Sequence, residues 1–121
     1  MMSGAAEPRW VVLREILVRD GHARRFEQVY GPAGDRVRLL QRAPGHVRTE
    51  LWRDPATPGR YVVADHWTSA EAYFQFLSTF AAEHAELEDA CRELIERERH
   101  LGSFDSVQPS PFPHLPRTLD V

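Results

Sequence analysis

The chain predicts an α+β fold: a four-stranded antiparallel sheet in the order β-α-β-β-α-β, with its helices against one face. Three observations carry that reading. Runs rich in β-branched and aromatic residues at 10–19, 46–53 and 60–67 are bounded by Gly, Pro and Asp turn signals. Apolar residues recur at helical spacing after the first and third runs. The resulting element order is the signature of a ferredoxin-like split βαβ sheet.

Residues 1–9 read as a flexible N-terminus. From Trp10 to Arg19 both strand faces are apolar, with Trp10, Val12, Ile16 and Val18 on one and Val11, Leu13 and Leu17 on the other. Such a strand is covered on both sides. Arg14 and Glu15 interrupt those faces at mid-strand. Asp20-Gly21 forms a turn, with Asp20 expected to cap a helix carrying Ala23, Phe26, Val29 and Tyr30 on one stripe. Gly31-Pro32-Ala33-Gly34 breaks that helix, because proline disfavours helical backbone at the residue before it. Asp35 is expected to cap a second segment, Arg36 to Arg42, that turns Val37 and Leu40 inward.

The second strand, His46 to Arg53, places His46, Arg48, Glu50 and Trp52 on one face and Val47, Thr49 and Leu51 on the other. A six-residue connection to the third strand, Arg60 to Trp67, predicts an antiparallel hairpin. Thr68-Ser69-Ala70-Glu71 matches a capping box with Thr68 as the cap. The apolar stripe then runs through Tyr73, Phe74, Leu77, Phe80, His84, Leu87, Cys91, Leu94 and Ile95, with no glycine or proline before Gly102. A straight helix of that length would reach about 45 Å, against about 20 Å for a strand. A break near Ala82 to Ala85, or an end projecting past the sheet, is therefore expected. Gly102 is expected to terminate the helix and Ser103 to Val107 to form the last strand. The charges from Glu83 to Arg99, including Glu88 with Arg92 and Glu93 with Arg97, read as a solvated helix face. The folded domain is thus 10–107. The tail, 108–121, carries four prolines and is expected to run extended over its own or a partner protomer.

Helices on one face leave the other apolar face of the first strand uncovered. A second copy packed sheet against sheet is the economical cover, so a homodimer is expected. A net charge of −3 and a pI near 6.0 give no basic footprint for nucleic acid. No apolar run approaches the roughly 18 residues of a membrane span. Met1 to Pro8 lacks the pattern of a secretory leader, and the lone Cys91 falls on an apolar helix face, as suits a reducing compartment. A cytoplasmic protein is expected.

The chain contains neither lysine nor asparagine, which excludes Schiff-base lysine chemistry. His84 and Glu88 have the spacing of a metal edge without a third ligand, so no metal and no cofactor are expected. No phosphate loop, nucleophile elbow or Cys-x-x-Cys pair occurs. Interest falls on the corner where the third strand meets the following helix. Trp67 shares a strand face with Asp65 and Tyr61, and Tyr73 lies on the inward helix stripe. Trp67 is there either a pocket wall or core, and Asp65 either a base or polar anchor or an arginine's partner. If both sheet faces are covered, Glu50 must be paired, Arg14 being one partner across the sheet. Burial would raise its pKa toward that of a base, a structural ion pair being the alternative. Trp67, Tyr73, Asp65 and Glu50 are the candidate catalytic residues. Arg14, Tyr61, His46, Phe26 and Tyr30 are the candidate substrate-binding residues, with the Gly31–Gly34 loop shaping or gating the pocket.

These residues resemble the antibiotic-biosynthesis-monooxygenase family of dimeric α/β-barrel proteins. The likeness rests on Gly21 to Phe26, Ala43-Pro44-Gly45-His46, Arg60-Tyr61-Val62, Trp67, Ser69-Ala70-Glu71-Ala72-Tyr73 and Leu101-Gly102-Ser103-Phe104, within about residues 10–107. The Trp-x-Ser-x-Glu-x-Tyr corner is its most specific part. The resemblance implies a dimer with a pocket in each protomer. In some members that pocket oxidises polyphenolic or anthrone-like aromatics with O₂ and no metal or flavin, through a Trp, a Tyr and an Asn. Trp67 and Tyr73 match two of these and nothing matches the third. Haem-degrading members need an Asn on the first strand and a His on the second helix. The first strand offers Arg14 and Glu15, and the start of the second helix offers no histidine, which disfavours that route. Two readings follow: a cofactor-independent monooxygenase of an electron-rich aromatic, or a non-catalytic small-molecule-binding or accessory protein of the same fold.

Overall fold

The computed structural model describes residues 7–108. The N-terminal residues 1–6 and most of the proline-bearing tail lie outside the described residues. The elements follow in the order β1 (Trp10–Val18), α1 (Ala23–Tyr30), α2 (Asp35–Gln41), β2 (His46–Arg53), β3 (Arg60–Trp67), α3 (Ala70–Thr79), α4 (Ala81–Cys91) and β4 (Ile95–Asp105). The sheet order is β2-β3-β1-β4, with antiparallel neighbours throughout. This is the expected α+β ferredoxin-like sheet. The two strands with the strongest apolar runs, β1 and β3, sit in its centre.

Strand register decides which side chains meet under the helices. Trp10 lies opposite Trp67, Val12 opposite Asp65, Arg14 opposite Val63 and Ile16 opposite Tyr61. These eight share the helix-covered face. Two apolar clusters form on it. One gathers Ile16, Val18, Phe26, Val29, Tyr30, Tyr61, Val63, Cys91 and Leu94; the other gathers Val12, Leu40, Ala43, Trp67 and Phe76, with Trp10 and Tyr73 packed against it. Cys91 is buried as a packing residue. The opposite face carries Val11, Leu13, Leu17 and Val62 beside Trp52 and Phe104, whose side chains are 60% and 50% exposed.

Several local expectations are corrected. The long helix breaks at Phe80, slightly earlier than expected, where φ −109° and ψ 26° leave the helical region. The Phe80 ring stacks on Phe76 and lies beneath the Arg42 guanidinium, which fixes the corner. Helix α4 ends at Cys91, so Gly102 terminates no helix and β4 begins eight residues before Ser103. Residues 95–99 were legible as helix only because alternating charges also satisfy helical spacing. Pairing with β1 wins, bringing Arg99 to Glu15 at 3.2 Å and Glu98 to Arg14 at 3.4 Å. Arg92 accordingly pairs with Asp89 rather than Glu88. Phe74 points outward, 59% exposed, and Phe76 takes the inward position.

Capping also differs by single residues. Ser69, not Thr68, accepts the Ala72 amide at 3.0 Å and caps α3. His22 and Gly34 occupy the N-cap positions of α1 and α2, so Asp20 and Asp35 cap neither; Asp35 instead pairs with Arg38. Gly45 does need to be glycine. Its φ of +97° is left-handed, and a Cβ there would sit 2.5 Å from the Ala72 Cβ.

Candidate active site

Between the two apolar clusters runs a seam of polar side chains, and its centre is Asp65. Arg36 of α2 reaches it with both terminal nitrogens, Nη1 to Oδ1 at 3.0 Å and Nη2 to Oδ2 at 2.6 Å. Thr49 donates to Oδ1 at 2.7 Å, and Arg14 Nη1 approaches Oδ2 at 3.4 Å. A carboxylate has about four lone-pair sites, and four donors occupy them here. Burial disfavours the charge of Asp65, but the Arg36 charge and these hydrogen bonds outweigh it and hold the pKa below the usual value. Of its two expected roles, Asp65 therefore takes that of arginine partner. No acceptor site is left to draw a proton from a ligand.

The seam extends in three directions. Arg14 Nη2 donates to the Tyr73 hydroxyl at 3.2 Å, and Arg14 Nε approaches Glu98 at 3.4 Å. Arg36 lies 5.1 Å from the centre of the Tyr30 ring. His46 Nε2 lies 2.9 Å from the Thr49 hydroxyl, and its ring meets Trp67 edge-on at 5.3 Å. Trp67 in turn lies edge-on to Tyr73 at 5.6 Å and tilted against Phe76 at 5.4 Å.

The sequence-predicted residues thus divide. Trp67, Tyr73, Asp65, Arg14 and His46 come together. Glu50 does not: it lies opposite Ala64, on the uncovered face of the sheet. There it pairs with His66 at 2.8 Å and Arg48 at 3.7 Å, not with Arg14. The His66 hydrogen bond holds its pKa below the ordinary value, opposite to the rise expected of a base. Phe26, Tyr30 and Tyr61 belong to the other cluster. Phe26 and Tyr30 stack at 4.4 Å, and the Tyr61 hydroxyl donates to Glu27. Tyr30 meets the seam at Arg36. Gly31 and Pro32 line a separate pocket with Tyr61 and Leu51, away from Trp67.

His46 reaches the seam through an irregularity that strand parity hides. The β2–β3 register shifts between His46 and Arg48, so His46 pairs with Trp67 while Arg48 pairs with His66. This bulge turns His46 to the Thr49 side. Two members were missed from sequence, Arg36 and Thr49. Arg36 sits on the inward face of α2 beside Val37 and Leu40, and an arginine there is the available signal of a buried partner.

Trp67 is fully enclosed, and Trp10 opposite it on β1 is half-buried. Among the described residues, the buried side-chain polar atoms without a hydrogen-bond partner are the indole nitrogens of Trp10 and Trp67, residues that lie opposite each other in the β1–β3 register. A cleft of about 630 Å³ runs along α3, lined by Pro44, Gly45, Thr68, Ala72, Phe76 and Phe80 among others. Phe76 forms its wall on one side and packs on Trp67 with the other. A second cleft, about 260 Å³, is lined by Tyr30, Glu98 and Ile95 and adjoins Arg14 through Glu98. No group of three metal-ligating side chains occurs among the described residues.

A four-stranded antiparallel sheet with its helices on one face places the chain among the ferredoxin-like α+β domains. Within that class, the model of the antibiotic biosynthesis monooxygenase family matches residues 10–86, and the chain belongs to that family. Among solved structures it is similar to SnoaB, a cofactor-independent oxygenase from Streptomyces nogalater, at 25% identity. The match covers 87% of this chain and 99% of SnoaB. The TM-score is 0.70 for a variant with one asparagine replaced by alanine and 0.68 for a second SnoaB structure. A Deinococcus radiodurans protein assigned as a candidate antibiotic biosynthesis monooxygenase shares the fold, at 14% identity and TM-score 0.68, over 84% of this chain and 95% of its own. No curated protein sequence matches. Among the described residues no helix is long and apolar enough to cross a membrane.

Proposed function

We propose that the protein is a cofactor-independent monooxygenase acting on an electron-rich, hydroxylated polycyclic aromatic. The observation that carries this reading is the pair of unpartnered indole N–H groups of Trp10 and Trp67, beside the Arg14–Tyr73 hydrogen bond. A buried donor without a partner costs about 1–3 kcal/mol. Ligand oxygens would recover that cost. The larger cleft has the volume and apolar lining of a small-molecule site. In this reading the ring enters from the cleft by rotation of Phe76 and stacks at the Trp67–Tyr73 corner. Arg14 stabilises the phenolate that forms, and the helices packed over the sheet exclude water.

The overall change is a ring methylene plus O₂ giving a ring carbonyl plus water, with the substrate supplying all the electrons. The family membership and the likeness to a cofactor-independent oxygenase support this reaction class. The uncovered sheet face supports a homodimer. Trp52, Leu101 and Phe104 stand exposed on or beside it, flanked by the Glu15–Arg60 and Glu50–His66 pairs. A second copy would bury both the aromatic rings and the paired charges. The absence of any asparagine favours the second reading, a binding protein without turnover.

The test is O₂ uptake with a panel of dihydroxyaromatics and anthrones, with and without chelator. Chelator-insensitive uptake that drops at least tenfold in Trp67→Phe and Tyr73→Phe supports the enzyme. Saturable binding of the same compounds with no uptake would refute it and support the binding protein.

A further inference from the structure

Asp65 is saturated by donors, so the deprotonation that the proposed reaction begins with must be assigned elsewhere. We propose that His46 is the general base, with its Nδ1 lone pair as the proton acceptor, and that Asp65 and Thr49 are positioning residues that fix its tautomer. This inference rests on the monooxygenase reading and deepens it.

The tautomer follows from counting protons. Asp65, held ionised by Arg36, can only accept, so the single hydroxyl proton of Thr49 points at Oδ1 across 2.7 Å. The Thr49 oxygen can therefore meet His46 Nε2, 2.9 Å away, only as an acceptor. Neutral His46 must carry its proton on Nε2, leaving Nδ1 as a lone pair. Nδ1 makes no hydrogen bond among the described residues, and it is not among the buried unpartnered atoms. The ring is half-buried, so Nδ1 remains reachable. His46 follows Pro44 and Gly45 of the cleft wall directly, and its ring stands edge-on to Trp67.

The groups facing His46 suit a neutral base. Burial lowers its pKa most; Asp65 opposes this, while Arg36 and His66 add to it. The result lies below the ordinary value, so the ring is uncharged near pH 7. Once protonated, the imidazolium donates the same Nε2–H to Thr49 as a charge-assisted bond backed by the Asp65 carboxylate, so the network stabilises the charged ring more than the neutral one.

Nδ1 takes a proton from the acidic ring methylene, whose carbanion is delocalised into the ring oxygens. The anion reduces O₂ and forms a carbon–oxygen bond, giving a peroxide that recovers the proton from His46. Removal of the second C–H by Nδ1 breaks the O–O bond, and the departing hydroxide leaves as water with that proton. One oxygen atom stays in the product carbonyl.

The experiment separates deprotonation from oxidation by using dithranol, a dihydroxyanthrone, with the intact protein. Under anaerobic conditions, the bound anion is read by its absorbance at a pH below that of free anion formation; air is then admitted and O₂ uptake recorded. The expected result is anion formation in the unmodified protein, its loss in His46→Gln, and a fall in kcat/KM of about 10²–10⁴-fold. Thr49→Val should keep the fold and shift the acidic limb of the kcat/KM profile to lower pH, which a purely structural role would not do. Nitrogen-15 NMR should give the Nε2–H tautomer in the resting protein and its loss of preference in Thr49→Val. Anion formation that survives in His46→Gln, or an Nδ1–H tautomer, overturns the base assignment even if dithranol is oxidised. Anion formation with no O₂ uptake on admitting air keeps the base and overturns the monooxygenase. No anion in the unmodified protein overturns both.

Discussion

Removing the Asp65 carboxylate with Asp65→Ala should destabilise the protein far more than an average core truncation. The substitution leaves Arg36 with no counter-charge while its side chain is only 7% exposed. It also takes the Oδ1 acceptor from Thr49, which retains His46, and one of three acceptors from Arg14, which retains Tyr73 and Glu98. Breaking a buried pair from one side costs about 3–5 kcal/mol. Urea denaturation at fixed protein concentration measures it. With a slope of about 2 kcal/mol per M, the midpoint should fall by about 2 M. A fall of less than about 0.5 M would refute the placement of an uncompensated charge in the seam. The paired replacement Arg36→Met with Asp65→Leu removes both charges, and should recover most of the loss because neither desolvation cost remains.

The pH dependence of the same equilibrium gives an independent check with a fixed sign. The folded-state pKa of Asp65 is depressed below 3.8, so the unfolded chain binds the proton more readily. The contribution is present above the unfolded value and is lost as pH falls through the lower folded one. Asp65→Asn removes this one component of acid sensitivity. The carboxylates depressed by exposed partners, such as Glu15 and Asp54, remain in both proteins. The difference between the two acid limbs therefore isolates the seam.

Other consequences are equally direct. Gly45→Ala forces a left-handed φ on a residue with a Cβ that meets Ala72, costing at least about 1–2 kcal/mol; thermal denaturation should show a drop of about 4 °C or more. Trp52→Glu combined with Phe104→Glu should convert the proposed dimer to monomer in sedimentation velocity without altering the far-UV spectrum. His46 is held below its ordinary pKa by burial, so its protonation favours the unfolded chain. Stability should decline as pH falls below about 6.5, and His46→Gln should flatten that part of the curve.

Periodicity carried most of the fold. β1, β2 and β3 were legible because β-branched runs between turn residues have one reading. The start of β4 was not, since Glu96 to Arg99 satisfies helix pairing as well as cross-strand pairing. Only contact with Glu15 and Arg14 on β1 decides between them. The site was legible at Trp67 and Tyr73 because a strand end and a capped helix fix their geometry. Parity put His46 on the wrong face, because a one-residue bulge leaves no mark in composition. Glu50 was mispartnered with Arg14 for a related reason: alternation sets a face, but not which of two faces the helices will cover. Arg36 was passed over as an ordinary helix residue although its neighbours Val37 and Leu40 were read as inward.

The seam also explains why this core holds charge at all. Apolar side chains of the same volume would pack Val12, Trp67 and Phe76 against Ile16 and Tyr61 without any desolvation cost. The arrangement instead spends two arginines and a threonine to keep one carboxylate ionised, and passes its influence along a directed hydrogen-bond chain to a single imidazole. A merely structural ion pair would need only Arg36 and Asp65. The additional reach of Arg14 to Tyr73, and of Thr49 to His46, connects that pair to both sides of Trp67. If the network served stability alone, the apolar pair replacement at 36 and 65 would leave ligand deprotonation unchanged. If it serves chemistry, the same replacement yields a protein at least as stable as Asp65→Ala in which His46 no longer selects one nitrogen for its proton.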